Sequence, residues 1–461
     1  MSMFSDTQAS ATRPTSAMLS RNSLEFAFTT VVIPNFLFLV TAPFYIASRL
    51  ISPFLFLAAG IAGLFLPAPL TYLIFLAAAV ADITLVVMIA FHLPLDVAAD
   101  SLKYMATIDP ASSLLYVSIA LIVTATTVLA AHRVCRNRDR LRQASLVPAL
   151  VMAGALSTAD LVWTQPYFRK ADVMFDSARV QAGLSADAVI EDRSNLLIVV
   201  VEGLGAFADP QEHDLFKSIL TDNLPQDRYE VEEGQTYYSG STTGAAAREL
   251  CGRWGDYIDY LTGMPGGGCL PNRLAAAGYE TIAFHGFTTD MFRRDLWYPA
   301  IGFQKLEFME QLQAARPAAF ARHCGSVFAG LCDADVGRAV QQTLVADPER
   351  PKFIYWLTLN SHIPFVQAEE DRLGCRTQAP KIRNKTVCEL SNLWSIVFEQ
   401  VNAIATDPNL PPTDILIVGD HHTPLWERAA KDRFVLGKVD WFLLRHNRDA
   451  SPDGHRPHST S

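Results

Sequence analysis

Five short apolar runs in the later part of the chain, Leu196–Val201, Thr281–Phe284, Phe353–Leu359, Ile415–Val418 and Trp441–Leu444, read as buried strands. Four of them run straight into side chains that can do chemistry. Glu202 follows the first, His285 the second, Asn360-Ser361-His362 the third and Gly419-Asp420-His421-His422 the fourth. Any one of these alone reads equally well as a helix cap or a solvated turn. In a parallel sheet, however, the strand C-termini share one edge, and ligands gather there. A Glu, an Asp and an imidazole on that edge make an ordinary ligand set for zinc or manganese.

A second feature is the small-residue turn Gly240-Ser241-Thr242-Thr243-Gly244-Ala245-Ala246-Ala247-Arg248-Glu249, which opens into a helix. Its structural reading is a Ser/Thr cap. Its chemical reading is a hydroxyl at a helix N-terminus, where free N–H groups and the positive dipole end suit a phosphate. Coordination to a metal would lower the pKa of that hydroxyl and make it a nucleophile without a separate base.

These residues need a frame to hold them together. Candidate helices at Thr243–Trp254, Asn272–Ala277, Asp333–Val345 and Ser391–Ala405 alternate with the strands. The alternation predicts βαβ units, and so an α/β domain over 195–446 with a mainly parallel sheet and helices on both faces. A helical linker at 164–194 is expected to run along a membrane surface, and 447–461 reads as a polar tail.

The first third is different. Apolar stretches at about Phe26–Ser48, Leu50–Leu66, Leu70–His92, Ala111–Ala131 and Ser145–Trp163 predict an α-helical transmembrane anchor of about five helices over 26–163, the second of them short for a span. Arg133, Arg136, Arg138, Arg140 and Arg142 lie between the last two stretches, and Arg13 and Arg21 precede the first. Asp96, Asp100 and Asp109 lie between the third and fourth. Positive loops stay cytoplasmic, so the Ser/Thr/Ala-rich tail 1–25 is expected inside and the α/β domain outside. Six of the seven cysteines fall in the outer part as close pairs, Cys251/Cys269, Cys324/Cys332 and Cys375/Cys388, which suggests disulfides. Cys135, in the Arg loop, is expected to be a free thiol.

Composition removes other classes. The chain has 461 residues, is 50% hydrophobic and carries 27 Phe, so it is neither disordered nor collagenous. With 38 basic against 47 acidic residues, nucleic acid is not an expected partner. A transporter is disfavoured because the spans hold few ionisable residues apart from Asp82 and Asp160.

Taken together, these residues resemble the alkaline-phosphatase/sulfatase-like superfamily. Within it they resemble the membrane-anchored phosphotransferases, the lipoteichoic acid synthase (phosphoglycerol transferase) and phosphoethanolamine transferase families. Their layout is similar too: five N-terminal spans, a linker and an exported sulfatase-like domain. The resemblance implies that Glu202 in Val-Val-Glu-Gly is the first metal ligand, and that Asp420 and His421 in Gly-Asp-His are the others. Thr242 in Gly-Ser-Thr-Thr is implied to be the metal-bound nucleophile that becomes covalently substituted, with Ser241 or Thr243 as alternatives one register away. His362 in Leu-Asn-Ser-His-Ile-Pro-Phe resembles a substrate or leaving-group histidine. His285, Phe292 and Arg294 resemble the His, aromatic and Arg that bind the head group.

There are departures. Phe292 stands where the synthases carry Trp. His422 and Pro424 follow Gly-Asp-His instead of the Gly-Glu-Ser usual in phosphoethanolamine transferases, which favours phosphoglycerol. No Cys/Ser-x-Pro-x-Arg motif lies near Thr242, which argues against a sulfatase. One divalent metal ion, Mn or Zn, is expected rather than two, His422 being the only further ligand in reach.

The implied reaction moves the head group of an anionic or zwitterionic phospholipid donor to an envelope glycan or glycolipid acceptor. The implied location is a bacterial inner membrane with the catalytic domain on the periplasmic side. A membrane-anchored phosphodiesterase would share the first half-reaction. A tethered sensor that kept the fold would be expected to have broken ligands, whereas all four positions are intact.

Overall fold

The structure, a computed structural model, describes residues 20–168, 173–225 and 227–447. Most of the expected N-terminal tail, Arg13 included, and nearly all of the C-terminal tail lie outside the described residues. The chain divides into two compact units, Met1–Val87 with Leu115–Pro166, and Met88–Leu114 with Tyr167–Ser461.

Among the described residues, four helices, lying mostly in the first unit, are long and apolar enough to cross a membrane: Arg21–Thr41, Ala68–Phe91, Leu114–Arg136 and Val147–Phe168. The first opens into a π turn at Phe28–Val32. That turn lies just ahead of Pro34, whose ring and missing N–H disturb the preceding turn. The second expected stretch forms a helix of 12 residues, Ser52–Gly63, about 18 Å long at the usual rise. A charged cluster is buried here. The Arg49 guanidinium lies 2.6 Å from Asp82 and donates to Asn35 Oδ1 at 2.7 Å. The Arg49 N–H and the Ser48 hydroxyl donate to Asp160 at 2.8 and 3.2 Å. The two acids singled out in the spans thus have protein partners.

The second unit is built on one sheet of β1 (Asn195–Val201), β2 (Tyr229–Tyr237), β3 (Glu280–His285), β4 (Lys305–Glu307), β5 (Lys352–Leu357), β6 (Thr413–Gly419) and β7 (Lys438–His446). The order is β2-β7-β6-β1-β5-β3-β4. From β6 to β4 the strands are parallel, and β7 is antiparallel to both its neighbours. All five expected strands are present. The edge strands β2 and β4 were not anticipated; β2 carries Glu230, Glu232 and Glu233 and buries little.

Strand alternation feeds two apolar layers. Leu197, Val199 and Val201 of β1 join Ile354, Trp356, Ile415 and Ile417 on one face. Leu196, Ile198 and Val200 join Tyr355, Leu357, Leu416 and Val418 on the other. Helices Pro210–Thr221, Asp333–Val345 and Lys385–Ala405 supply side chains to the first layer, and Thr242–Cys251, Leu270–Ala276 and Arg294–Ala300 to the second. Burial on both faces is why these strands read as continuous apolar runs. Ala178, Ala182, Leu184, Ala186 and Val189 of the expected linker pack into the second layer, as does Val97 from Met88–Leu114. The three expected disulfides are formed, and Cys135 is free.

Candidate active site

Register places the first two carboxylates. Val201 pairs with Gly419 across β1 and β6, so Glu202 and Asp420 leave the sheet side by side. Gly419 has to be glycine, because a Cβ there would lie 1.8 Å from the Leu204 carbonyl oxygen. One strand further, Leu357 at the end of β5 pairs with both Val200 and His285. The strand ends therefore bring Glu202, Asp420, His421 and His285 to one buried edge.

Glu202, Asp420 and His421 form a tight trio, with one ligand atom from each lying within 4.8 Å of the others. His421 Nε2 is 3.2 Å from Asp420 Oδ2 and 3.6 Å from Glu202 Oε1. The other His421 nitrogen, Nδ1, faces the His422 carbonyl at 2.9 Å, so it carries the proton and leaves Nε2 with a lone pair aimed at the carboxylates. Asp420 Oδ1 accepts from the N–H groups of Gly203 and His421, both at 2.8 Å, which fixes its outer oxygen. Glu202 Oε1 is buried and has no hydrogen-bond partner among the described residues. Burial, with Asp420 beside it, pushes the Glu202 carboxyl well above its usual range. Two crowded acids, an imidazole lone pair and an orphaned carboxylate oxygen fit a divalent cation.

Three hydroxyls were candidates in the turn before helix Thr242–Cys251, and they point different ways. Thr242 Oγ1 donates to Asp420 Oδ2 at 2.8 Å and lies 3.3 Å from Glu202 Oε2. Thr243 donates to Asp256 at 2.8 Å, and the Ser241 hydroxyl lies 3.2 Å from that of Thr243. Only Thr242 among them reaches the trio. It sits in the first turn of the helix, where N–H groups lack intrahelical acceptors.

The loop after β5 divides its labour. Asn360 exchanges hydrogen bonds with Asp333, and Ser361 donates to the Glu202 carbonyl at 2.7 Å, so both brace the edge. His362 is the free member. Its Nδ1 faces the Ile363 carbonyl at 3.0 Å and its ring rests on Phe328. Burial, reinforced by His421, brings its pKa down to about 4. His285 Nδ1 likewise faces the Leu357 carbonyl at 3.0 Å, and burial together with Arg294 holds its pKa well below the usual value. Both rings are thus neutral, with Nε2 as the acceptor. Arg294 is buried, and its Nε has no hydrogen-bond partner among the described residues. Phe292 lies under its guanidinium at 5.4 Å, in a left-handed backbone conformation. His422 is occupied elsewhere: its Nδ1 meets the Tyr238 hydroxyl and its Nε2 lies 2.9 Å from Lys431 Nζ.

Sequence reasoning missed a bracing pair. Arg248, fully buried, donates to the carbonyls of Gly419 and Asp420 at 2.8 and 3.1 Å and pairs with Glu249 at 2.6 Å. Glu249 in turn accepts from the Ser177 hydroxyl at 2.7 Å and the Arg179 N–H at 2.9 Å. The one available signal was two adjacent charges following an Ala run in a helix whose face had to be buried.

Residues 235–433 match the family model described as Sulfatase. No curated protein matches the chain. Solved structures that resemble it include the lipoteichoic acid synthase LtaP from Listeria monocytogenes, at 15% identity over 56% of this chain and 67% of that one, with a TM-score of 0.40. Another is the Streptococcus pyogenes phosphoglycerol transferase GacH in complex with sn-glycerol-1-phosphate, at 15% over 57% and 72%, TM-score 0.39. A third is the C-terminal periplasmic domain of EptC from Escherichia coli in complex with Zn, at 16% over 55% and 73%, TM-score 0.36.

Proposed function

From a sulfatase-family domain on a chain whose described residues include four helices fit to cross a membrane, we propose a metal-dependent transferase that moves a phospholipid head group, phosphoglycerol by preference, to an envelope glycan or lipid acceptor. The observation that carries this reading is the Thr242 hydroxyl, 2.8 Å from Asp420 and 3.3 Å from Glu202, beside the unpartnered Glu202 Oε1. Glu202, Asp420, His421 and Thr242 would hold one divalent ion, manganese or zinc. When bound, such an ion lowers the pKa of a coordinated hydroxyl and neutralises charge on phosphoryl oxygens.

In the first step Thr242 Oγ1 bonds to phosphorus and the bond to the diacylglycerol oxygen breaks. The proton lost from Thr242 balances the one gained by diacylglycerol. In the second step an acceptor hydroxyl bonds to phosphorus, the Thr242 ester breaks and Thr242 regains a proton. His362 and His285, held neutral with Nε2 as acceptor, suit removal of the acceptor's proton better than protonation of a leaving group. Arg294 supplies a buried positive charge for the phosphoryl oxygens, and Phe292 offers an apolar surface for the glycerol. The site is assigned to the outer face of a bacterial inner membrane, where donor lipid and an oxidising compartment for the three disulfides coincide.

The test is the mass of the Thr242 peptide from protein extracted with its native membrane. A phosphoglycerol adduct is expected. A phosphoethanolamine adduct would keep the mechanism and replace the donor. Full transfer by Thr242→Ala would end the covalent scheme.

A further inference from the structure

The segment Met88–Leu114 has two apolar faces, and only one is covered. Val97 is buried in the second apolar layer of the α/β domain, with Ala98 buried beside it, Leu93 packed against that layer and Tyr104 buried further along. On the opposite side, Leu95 is 70% exposed, Leu102 63% and Met105 51%, with Ala99 and Ala106 exposed between them. The spacing 95, 99, 102 and 106 keeps these residues on one helical face, across helix Leu95–Ser101 and the 3₁₀ turn Leu102–Thr107.

The covered face touches the candidate site. The Phe91 ring meets His421 edge-on at 5.5 Å. Tyr104 and Tyr257 both meet Phe292, at 5.2 and 5.4 Å. Asp100 ties the group together, accepting from the Tyr257 hydroxyl at 2.6 Å and from Tyr104 at 3.3 Å.

Chain continuity says what covers the open face. The apolar helix Ala68–Phe91 ends four residues before Leu95, and Leu114 begins the apolar helix Leu114–Arg136. Four residues span at most about 14 Å, so Leu95 cannot leave the zone where the chain emerges from hydrocarbon. A short helix with an unpartnered apolar face in that zone lies in the interface plane. We infer that Met88–Leu114 is an interfacial strap: Leu95, Leu102 and Met105 sit in the lipid surface, while Phe91, Asp100 and Tyr104 hold His421 and Phe292, keeping the site at head-group level. Asp100 and Tyr104 are positioning residues. The lipid-donor consequence rests on the reaction proposed above; the location of the strap does not.

Two measurements separate them. Leu102→Cys in a Cys135→Ser background, labelled with an environment-sensitive fluorophore and reconstituted in vesicles, is expected to be quenched by nitroxide-labelled phospholipid. The same label at Lys217→Cys, on helix Pro210–Thr221, is the control. Equal, weak quenching at both positions would overturn the strap whatever the enzyme does. The double variant Leu102→Lys/Met105→Lys is expected to lower transfer from vesicle phospholipid about tenfold while hydrolysis of soluble bis(4-nitrophenyl) phosphate stays within about twofold. Equal losses on both substrates, or none on either, would overturn the coupling to the site. Absence of lipid transfer by the wild-type protein, with Leu102 quenched, would overturn the donor reading and leave the strap standing.

Discussion

Two of the places where this molecule buries charge differ in one respect. In the helical unit, Arg49 and Asp82 are buried in contact, with the half-buried Asp160 beside them and Asn35, Ser48 and Ser52 filling further hydrogen-bonding positions. In the α/β domain, Glu202 and Asp420 are buried side by side, with backbone N–H groups on Asp420 Oδ1 and a histidine nitrogen and one threonine hydroxyl turned toward the remaining oxygens. The first cluster supplies its own cation and is closed in that sense, although Arg49 Nε has no hydrogen-bond partner among the described residues. The second carries like charge and leaves an oxygen unpartnered, an arrangement that a cation from outside would complete. The presence of an internal cation, more than burial, separates the two clusters.

The largest effect should come from opening the second cluster. Asp420→Asn removes a metal-binding oxygen and the acceptor for Thr242, and transfer should fall about 10³-fold or more, about 4 kcal/mol of transition-state stabilisation. Bound metal measured on the purified variant should fall with it. A variant that lost its metal and kept its rate would show that the trio does not serve the chemistry.

Breaking the closed cluster should cost stability instead. Asp82→Ala strands the Arg49 guanidinium in a buried site, which costs about 3 kcal/mol. The thermal midpoint in detergent should drop, while the specific activity of protein that remains folded should hold. An unchanged midpoint would mean that the cluster does not support the helical unit.

These differences bear on what was readable beforehand. Glu202, His285, His362, Asp420 and His421 were legible because parallel strands buried on both faces appear as apolar runs, and whatever follows such a run lies on the ligand edge. Arg248, Glu249 and the 72-residue reach from Ser177 to Glu249 were not. No local period marks a hydrogen bond between distant segments. The edge strand β2 escaped for the opposite reason: with Glu at 230, 232 and 233 it lacks the apolar run that announces a buried strand. Residues 93–110 looked like a plain acidic loop between two apolar stretches, because the sequence shows neither which residues pack inward nor against what.

His362 offers a milder probe. Its folded pKa of about 4 lies below the ordinary 6.5, so between those values the unfolded chain binds more protons. Stability must then rise with pH across that window and be lost as pH falls through it; at pH 5 the loss from this one ring is about 2 kcal/mol. His362→Gln should flatten the fall in thermal midpoint between pH 7 and pH 5 for metal-free protein. An unflattened slope would mean that the ring is solvated when unliganded.

The smallest effect tests the comparison most directly, because its sign should reverse. In protein stripped of metal by a chelator, the Glu202 carboxyl has a folded pKa well above its ordinary 4.5, so folding loses stability as pH rises above that value. Glu202→Gln removes the group that must take up a proton or bear repulsion from Asp420, and at pH 7 should stabilise the stripped protein by about 1 kcal/mol. The gain should vanish toward pH 4.5, where the Glu202 carboxyl is protonated in the unfolded chain as often as not. With saturating manganese or zinc the same substitution should destabilise, since a metal that binds only the folded state adds stability that grows with the logarithm of its affinity, and Gln lowers that affinity. The closed cluster has no such reversal: Asp82→Ala should destabilise with or without metal. If Glu202→Gln also destabilised the stripped protein, the α/β site would already be balanced by its own side chains, and the distinction between the two clusters would fall.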